Sequence, residues 1–426
     1  MVRLLLFAGL TALPSLGNGI LRWGFGAEDL GAAGAFGLTR GNSIAAIQGN
    51  PALLTTLKDE VAFSGRLLVG EGDFRRGDAR SGLTDGVGAY PDFAISRQVG
   101  SFTLGLGLSP IAAVEAKWNF LDAPGGRGGI SYGTLAHKSR YAAVRLSAGL
   151  GWQVSDTWSL GLTAGVIRSE LIFDAPFIFQ TNPALANAKV DLDLETDDWA
   201  PAFTFGALYQ PNEAWTFGLL VTPPVSFDHR GRARANFSAQ FPSLADPLTK
   251  YQARARNELP LSISLGSSWQ VNEKLSLGVK TDWHQWSQSY DRLRIDLSGG
   301  NNAEINREIG SDPSDEVPIA WRDRFVFSVG AEYELSPEWT LRGGWRYGKS
   351  PIPDELVTPL NGAILEQALT LGLGWQRGHW QVDAAWAYEF GPSVSVGTSG
   401  YNAGEYSNSS LDFEVHHLSI GVRRSF

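Results

Sequence analysis

Trp199-Ala200-Pro201-Ala202-Phe203-Thr204-Phe205-Gly206-Ala207-Leu208-Tyr209 runs directly into Gln210-Pro211-Asn212-Glu213-Ala214-Trp215-Thr216-Phe217-Gly218. Before the turn, Trp199, Phe203, Phe205, Ala207 and Tyr209 fall on one face of a strand, and Ala202, Thr204 and Gly206 on the other. This is a period of two. It lasts about ten residues, the length of a tilted bilayer-crossing strand and roughly twice that of a usual soluble one. The polar turn that follows has ring residues on both sides, as a tight hairpin does at a membrane–water interface.

The same phrase recurs at Gly151 to Gly161, Trp269 to Gly278, Tyr333 to Gly343 and Trp375 to Trp380, with a weaker copy at Arg97 to Phe102. Six hairpins make twelve strands. A strand from Glu60 to Gly70 and a last one from about Leu411 to Phe426 make fourteen. The even count puts both ends of the barrel on one side, where Phe426 follows Val422, Ile420 and Leu418 in alternation. Longer connections at 172–197, 230–257, 298–316 and 397–411 fall on the opposite side, matching the short periplasmic turns and long outer loops of outer-membrane barrels.

Composition agrees: 50 Gly, 15 Trp and 22 Phe with 19% charged residues suit half-exposed strands against an apolar medium. A soluble sandwich or propeller would share that composition, and strand length separates the two. The absence of Cys excludes thiol enzymes, disulfide scaffolds and Cys-ligated metal sites, and a net charge of −9 argues against a nucleic-acid partner. At the N-terminus, Arg3 precedes an apolar run from Leu4 to Leu16, and Ser15 and Gly17 supply small residues at a cleavage position. Residues 1–17 read as a secretory signal, with an N-terminal core helix as the alternative.

Residues 31–58 carry little alternation and precede the first strand. With Asn50, Pro51 and Ala52 they resemble the N-terminal plug of the FadL/TodX family of outer-membrane transporters. The phrases Leu259-Pro260, Trp286-Ser287-Gln288, Arg322-Asp323-Arg324-Phe325 and Ser350-Pro351-Ile352-Pro353 match in the same order. The resemblance implies an all-β fold, a 14-stranded antiparallel transmembrane barrel over 59–426 with a hatch over 18–58 inside it. It further implies passive uptake of hydrophobic molecules, long-chain fatty acids foremost, with lateral release at a kinked third strand. The surroundings would be the lipid and lipopolysaccharide of a bacterial outer membrane, the chain a monomer, and no cofactor or metal is expected. Aromatic hydrocarbons are the alternative cargo, and an outer-membrane lipid hydrolase the alternative activity.

Parity predicts the lumen-facing side chains. With Phe325, Phe327, Val329, Ala331 and Tyr333 facing lipid, Arg322, Arg324, Ser328 and Glu332 point inward, as do Arg145, Lys280, Asp282, His284, Arg342 and Arg346. A guanidinium in a dry cavity holds a carboxylate by paired charge-assisted hydrogen bonds. Arg322 is the first candidate for such a headgroup contact, Arg324 and Lys280 follow, and Arg168 would join them only if a bulge turned it inward. The alternative is that these cations pair with Asp282, Glu332, Asp383 and Glu389.

Phe173, Phe177 and Phe179 in one connection, and Phe237, Phe241 and Leu244 in another, are too apolar for solvated loops. They form an outer binding groove or pack on each other, and the two readings are compatible. Gly105, Gly107 and Pro110 mark the third strand as a possible lateral opening, or as an ordinary strand end. An enzyme is not predicted. His284 shares a face with Asp282 but no nucleophile is identifiable, His416 and His417 point oppositely, and neither a phosphate loop nor metal-spaced His residues occur.

Overall fold

The computed structural model describes residues 19–426, so the predicted signal at 1–17 lies outside the described residues. Fourteen antiparallel strands form one closed sheet. They are β1 (Glu60–Arg76), β2 (Val87–Val99), β3 (Phe102–Leu121), β4 (Thr134–Gln153), β5 (Trp158–Ile178) and β6 (Lys189–Asn212). β7 runs Trp215–Thr222, yields at Pro223 and Pro224, and resumes as Val225–Asn236; β8 runs Leu248–Leu259, breaks at Pro260, and resumes as Ser262–Gln270. β9 (Leu275–His284) continues past a helical turn as Arg292–Ser298, and β10 as Ser314–Pro318 and then Arg324–Ser336. β11 (Trp339–Tyr347), β12 (Gln367–Arg377), β13 (Trp380–Phe390) and β14 (Ser409–Ser425) complete the circuit. Closure is between β14 and β1, from Glu60 opposite Ser425 to Arg76 opposite Ser409.

The alternation becomes a lipid face and a lumen face. Phe203 and Phe205 are 47% and 49% exposed, whereas Thr204 between them is 0% exposed. Ring residues at the hairpins stack into a girdle, Trp158 on Tyr209 at 4.5 Å and Trp215 on Trp269 at 5.5 Å.

Two of the predicted long connections are largely strand. β5 reaches Ile178 and β6 starts at Lys189, while 230–257 contains the outer halves of β7 and β8. These extensions persist above the membrane because their inward residues, among them Phe177, Val190, Leu194, Ala233 and Tyr251, bury a separate apolar core.

Residues 19–58 lie against the inner wall, carrying α1 (Gly26–Gly31), α2 (Ser43–Gln48) and a 3₁₀ turn (Pro51–Thr56). The Asn42 side chain caps α2, accepting from the Ile44 and Ala45 amides at 3.0 and 3.3 Å. Asn50 caps the 3₁₀ turn through the Ala52 amide at 3.1 Å and donates to the carbonyls of Leu38 (2.7 Å) and Ala207 on β6 (3.2 Å). Asn50 and Pro51 sit so close to β6 that a Cβ on Gly206 would lie 2.0 Å from Asn50 Oδ1 and 2.8 Å from Pro51 Cδ. Arg145 on β4 donates to the carbonyls of Ile47 and Gln48 at 3.2 and 2.8 Å, satisfying the end of α2.

Candidate functional site

An apolar cavity of about 160 Å³ lies beneath the outer loops. Leu171, Phe173, Phe177, Leu194, Tyr290 and Trp321 line it, with Arg140, Arg256 and Arg292 at its margin. Trp321 stacks on Tyr290 at 4.5 Å and meets Trp286 edge-on at 5.0 Å. The indole Nε1 atoms of Trp286 and Trp321 are buried and have no hydrogen-bond partner among the described residues.

The six loop residues named from the sequence divide. Phe173 and Phe177 line the cavity. Phe179 and Phe237 are buried in the core of the outer extensions, and Phe241 and Leu244 pack against it. These four pack within the outer extensions and do not line the cavity, since β5, β6 and the outer halves of β7 and β8 need a core of their own.

Arg322 requires correction. Its side chain is 61% exposed, with Glu355 4.0 Å away, while Trp321 beside it is buried. Ala320, at φ +45°, interrupts the strand, with the Ile319 and Ala320 amides both donating to the Asp291 carbonyl at 2.9 Å. Residues 319–323 lie outside both parts of β10, and the buried positions pass from odd (Asp315, Val317, Trp321) to even (Val326, Ser328) only after Trp321. Arg324, below the break, is half-buried and spends its Nε on the Ser350 carbonyl at 2.7 Å. Arg168 is buried and lies 3.5 Å from Asp197.

Lys280 does line a cavity, a second one of about 140 Å³ between the N-terminal segment and the wall. Asp282 receives Lys280 and Arg346, each at 3.2 Å, and Ser264 at 2.6 Å. Two cations thus converge on Asp282 there. Asp29, from α1, faces the same cavity and accepts from the Phe25 amide at 3.0 Å. Ser262 and His284 are opposite residues of β8 and β9 and hydrogen-bond at 2.7 Å. Asp282 is taken up by Ser264, Lys280 and Arg346, so these residues do not assemble a triad. Deeper still, Arg342 binds Glu332 at 2.8 Å and Asp383 at 2.7 Å, and reaches Glu28 of α1 at 3.6 Å.

The β2–β3 ladder runs from Val99 opposite Phe102 to Phe93 opposite Leu108 and stops there, while β2 continues to pair with β1 as far as Val87. On its other side, β3 has a bulge between Pro110 and Ala112. The resulting window is crossed by Leu21, which bridges to Ala112, and by the Arg22 amide on the Ile111 carbonyl at 2.9 Å. Arg22 also holds Asp92 of β2 through two hydrogen bonds, at 2.6 and 2.7 Å, and Tyr90 donates to the Ala113 carbonyl at 2.8 Å. Pro110 stands at this irregularity. Gly105 and Gly107 do not: both sit in regular ladder on either side, and their missing side chains make room for Ile47 of α2.

Outside the membrane, three connections are tied by one buried cation. Lys189 Nζ, fully buried, pairs with Asp122 at 2.5 Å and with Glu405. Burial pushes the Glu405 carboxyl up to about 7 against the pull of Lys189.

Trp321 and Tyr290 were not anticipated as cavity residues. The sequence signal for them is ring residues beside strand breaks, and for Trp321 a parity count gives the wrong face. The Lys189 cluster joins positions 122, 189 and 405 and leaves no local pattern.

A closed barrel with a lipid-facing band, an occupied lumen and a break in its wall defines a β-barrel transport protein of the bacterial outer membrane. The chain belongs to the family described as outer membrane protein transport protein (OMPP1/FadL/TodX), which it matches over residues 18–426. The long-chain fatty acid transport protein of Salmonella typhi is 20% identical over 238 residues, 52% of each chain. The protein of the same description from Escherichia coli strain K12 is 20% identical over 174 residues, covering 39% of this chain and 36% of that one. The chain therefore spans about half the length, or less, of these curated relatives. Among solved structures, the P. putida toluene transporter TodX superposes with a TM-score of 0.78 at 17% identity, covering 95% of this chain and 99% of that one. A Pseudomonas aeruginosa FadL homologue gives 0.77 at 18%, covering 96% and 100%. At these identities the likeness is one of fold.

Proposed function

We propose that this protein admits hydrophobic molecules, long-chain fatty acids foremost, by diffusion and without covalent chemistry. The substrate enters the apolar outer cavity, passes to the inner cavity, and leaves sideways through the window between β2 and β3 once Leu21 and Arg22 move aside. The observation that carries the fatty-acid reading is the charge of the inner cavity, where Lys280 and Arg346 share Asp282. A carboxylate can complete that pairing, and a hydrocarbon has no use for it. The ring cluster of Tyr290, Trp321 and Trp286 favours a second reading, aromatic hydrocarbons.

The test is Lys280→Met. Asp282 keeps Arg346, so the wall stays paired, while a bound carboxylate loses one charge-assisted contact. Such contacts contribute about 1.5–3 kcal/mol, so oleate binding should weaken roughly ten- to hundredfold, with oleyl alcohol unaffected. Equal losses for acid and alcohol would remove the headgroup role. Tighter binding of an alkylbenzene than of oleate to the unaltered protein would select the second reading.

A further inference from the structure

The outward face of the outer halves of β7 and β8 carries Arg230, Arg232 and Arg234 on one strand and Lys250, Arg254 and Arg256 on the next. Their inward neighbours Phe227, His229, Ala233, Tyr251 and Ala253 are buried. Register sets Arg230 opposite Arg254 and Arg234 opposite Lys250. Like charges directly opposed destabilise a ladder, a cost that Asp197, Glu195 and Asp193 of β6, opposite the arginines of β7, offset in part. Asp228 takes up Arg254 and Arg230, the latter at 2.9 Å. Asp193 and Glu195 of β6 lie opposite Arg234 and Arg232, yet among the described residues Arg232, Arg234 and Lys250 have no carboxylate within ion-pair distance. The three cations, with Asp193, Glu195 and Asn301, line a surface hollow of about 560 Å³.

Height identifies what this face meets. Trp199 is the outermost large lipid-exposed ring of β6, and Asp197, Glu195 and Asp193, two to six residues further out, lie opposite Arg230, Arg232 and Arg234. At about 3.4 Å per residue the cations sit roughly 7–20 Å along the strand beyond the apolar band, at headgroup level. We propose that this hollow binds the phosphorylated sugar headgroup of the outer-leaflet glycolipid, lipopolysaccharide. The guanidinium groups and Lys250 take phosphate, and Asp193 and Glu195 accept from sugar hydroxyls. The site lies outside the barrel and is independent of the substrate path.

The experiment uses the full chain, folded in detergent, with rough-type lipopolysaccharide as the probe. The same lipid after chemical dephosphorylation, and phosphatidylglycerol, form the other two arms. The native protein should bind the phosphorylated glycolipid at least tenfold more tightly than either. Combined Arg232→Ser, Arg234→Ser and Lys250→Ser should abolish that preference, with heat-modifiable gel mobility as the check on folding. Equal binding of dephosphorylated lipid to the native protein would overturn the proposal without recourse to any variant. So would unchanged binding by the folded triple variant, and equal binding of phosphatidylglycerol would reduce the site to a nonspecific anionic surface and overturn the commitment to the glycolipid.

Discussion

Lys189→Met is expected to loosen the outer cap, the three connections that Lys189 ties through Asp122 and Glu405, by about 3–5 kcal/mol, the usual cost of removing one partner from a buried ion pair. Lys189 and the two carboxylates it binds, Asp122 and Glu405, are almost wholly buried, and the three lie at the ends of different connections. Without the ammonium, two carboxylates face each other with no counterion. Limited proteolysis within 397–408, or hydrogen exchange of that segment, reads the opening directly. A cap as slow to open as in the unaltered protein would show that Lys189 does not hold it shut.

The same cluster sets a pH dependence. The Glu405 carboxyl is raised by burial to about 7 in the closed cap, against roughly 4.3 when exposed. Between these values the closed state binds more protons than the open one, so closure is favoured as pH falls from about 7 to about 4.5 and weakens as pH rises through that window. Glu405→Gln should flatten the profile. In Lys189→Met the defect should be largest near pH 8 and milder near pH 5, where protonation relieves the unpaired carboxylates.

How far the sequence reveals this molecule depends on how local the determining physics is. The barrel was legible because each lipid-facing residue, from Phe203 and Phe205 to Leu418 and Ile420, is fixed by a period-two rule acting within a single strand. Lys280 was placed correctly by the same rule. Arg322 was not, because residues 319–323 leave the strand and the buried face changes parity after Trp321, a break that no side chain announces. Gly105 and Gly107 resembled a weakened strand, yet their lack of side chains serves α2, a partner more than fifty residues earlier in the chain. The window itself arises from where the β2–β3 ladder stops, a pairing fact to which Pro110 alone pointed. Phe179 and Phe237 were indistinguishable from cavity residues because a groove and a buried core demand the same side chains.

Gly206→Val should displace Asn50 and Pro51, because its first side-chain carbon would lie 2.0 Å from Asn50 Oδ1, far inside contact distance, with backbone on one side and a capped turn on the other. Overpacking of this kind costs about 1–3 kcal/mol where neighbours can yield. Here the Asn50 side chain would also forfeit its bonds to the Leu38 and Ala207 carbonyls, leaving buried groups unpaired at roughly 1–3 kcal/mol more. At 1.4 kcal/mol per factor of ten, the unseated population rises at least tenfold. Gly65→Val is the control, since a Cβ there meets nothing within 4 Å. Entry of a small hydrophilic solute into proteoliposomes should therefore accelerate for Gly206→Val and stay at the unaltered rate for Gly65→Val. A Gly206→Val barrel as tight as its control would mean that the segment seals the lumen without depending on Asn50 and Pro51, and that the close approach to β6 is incidental.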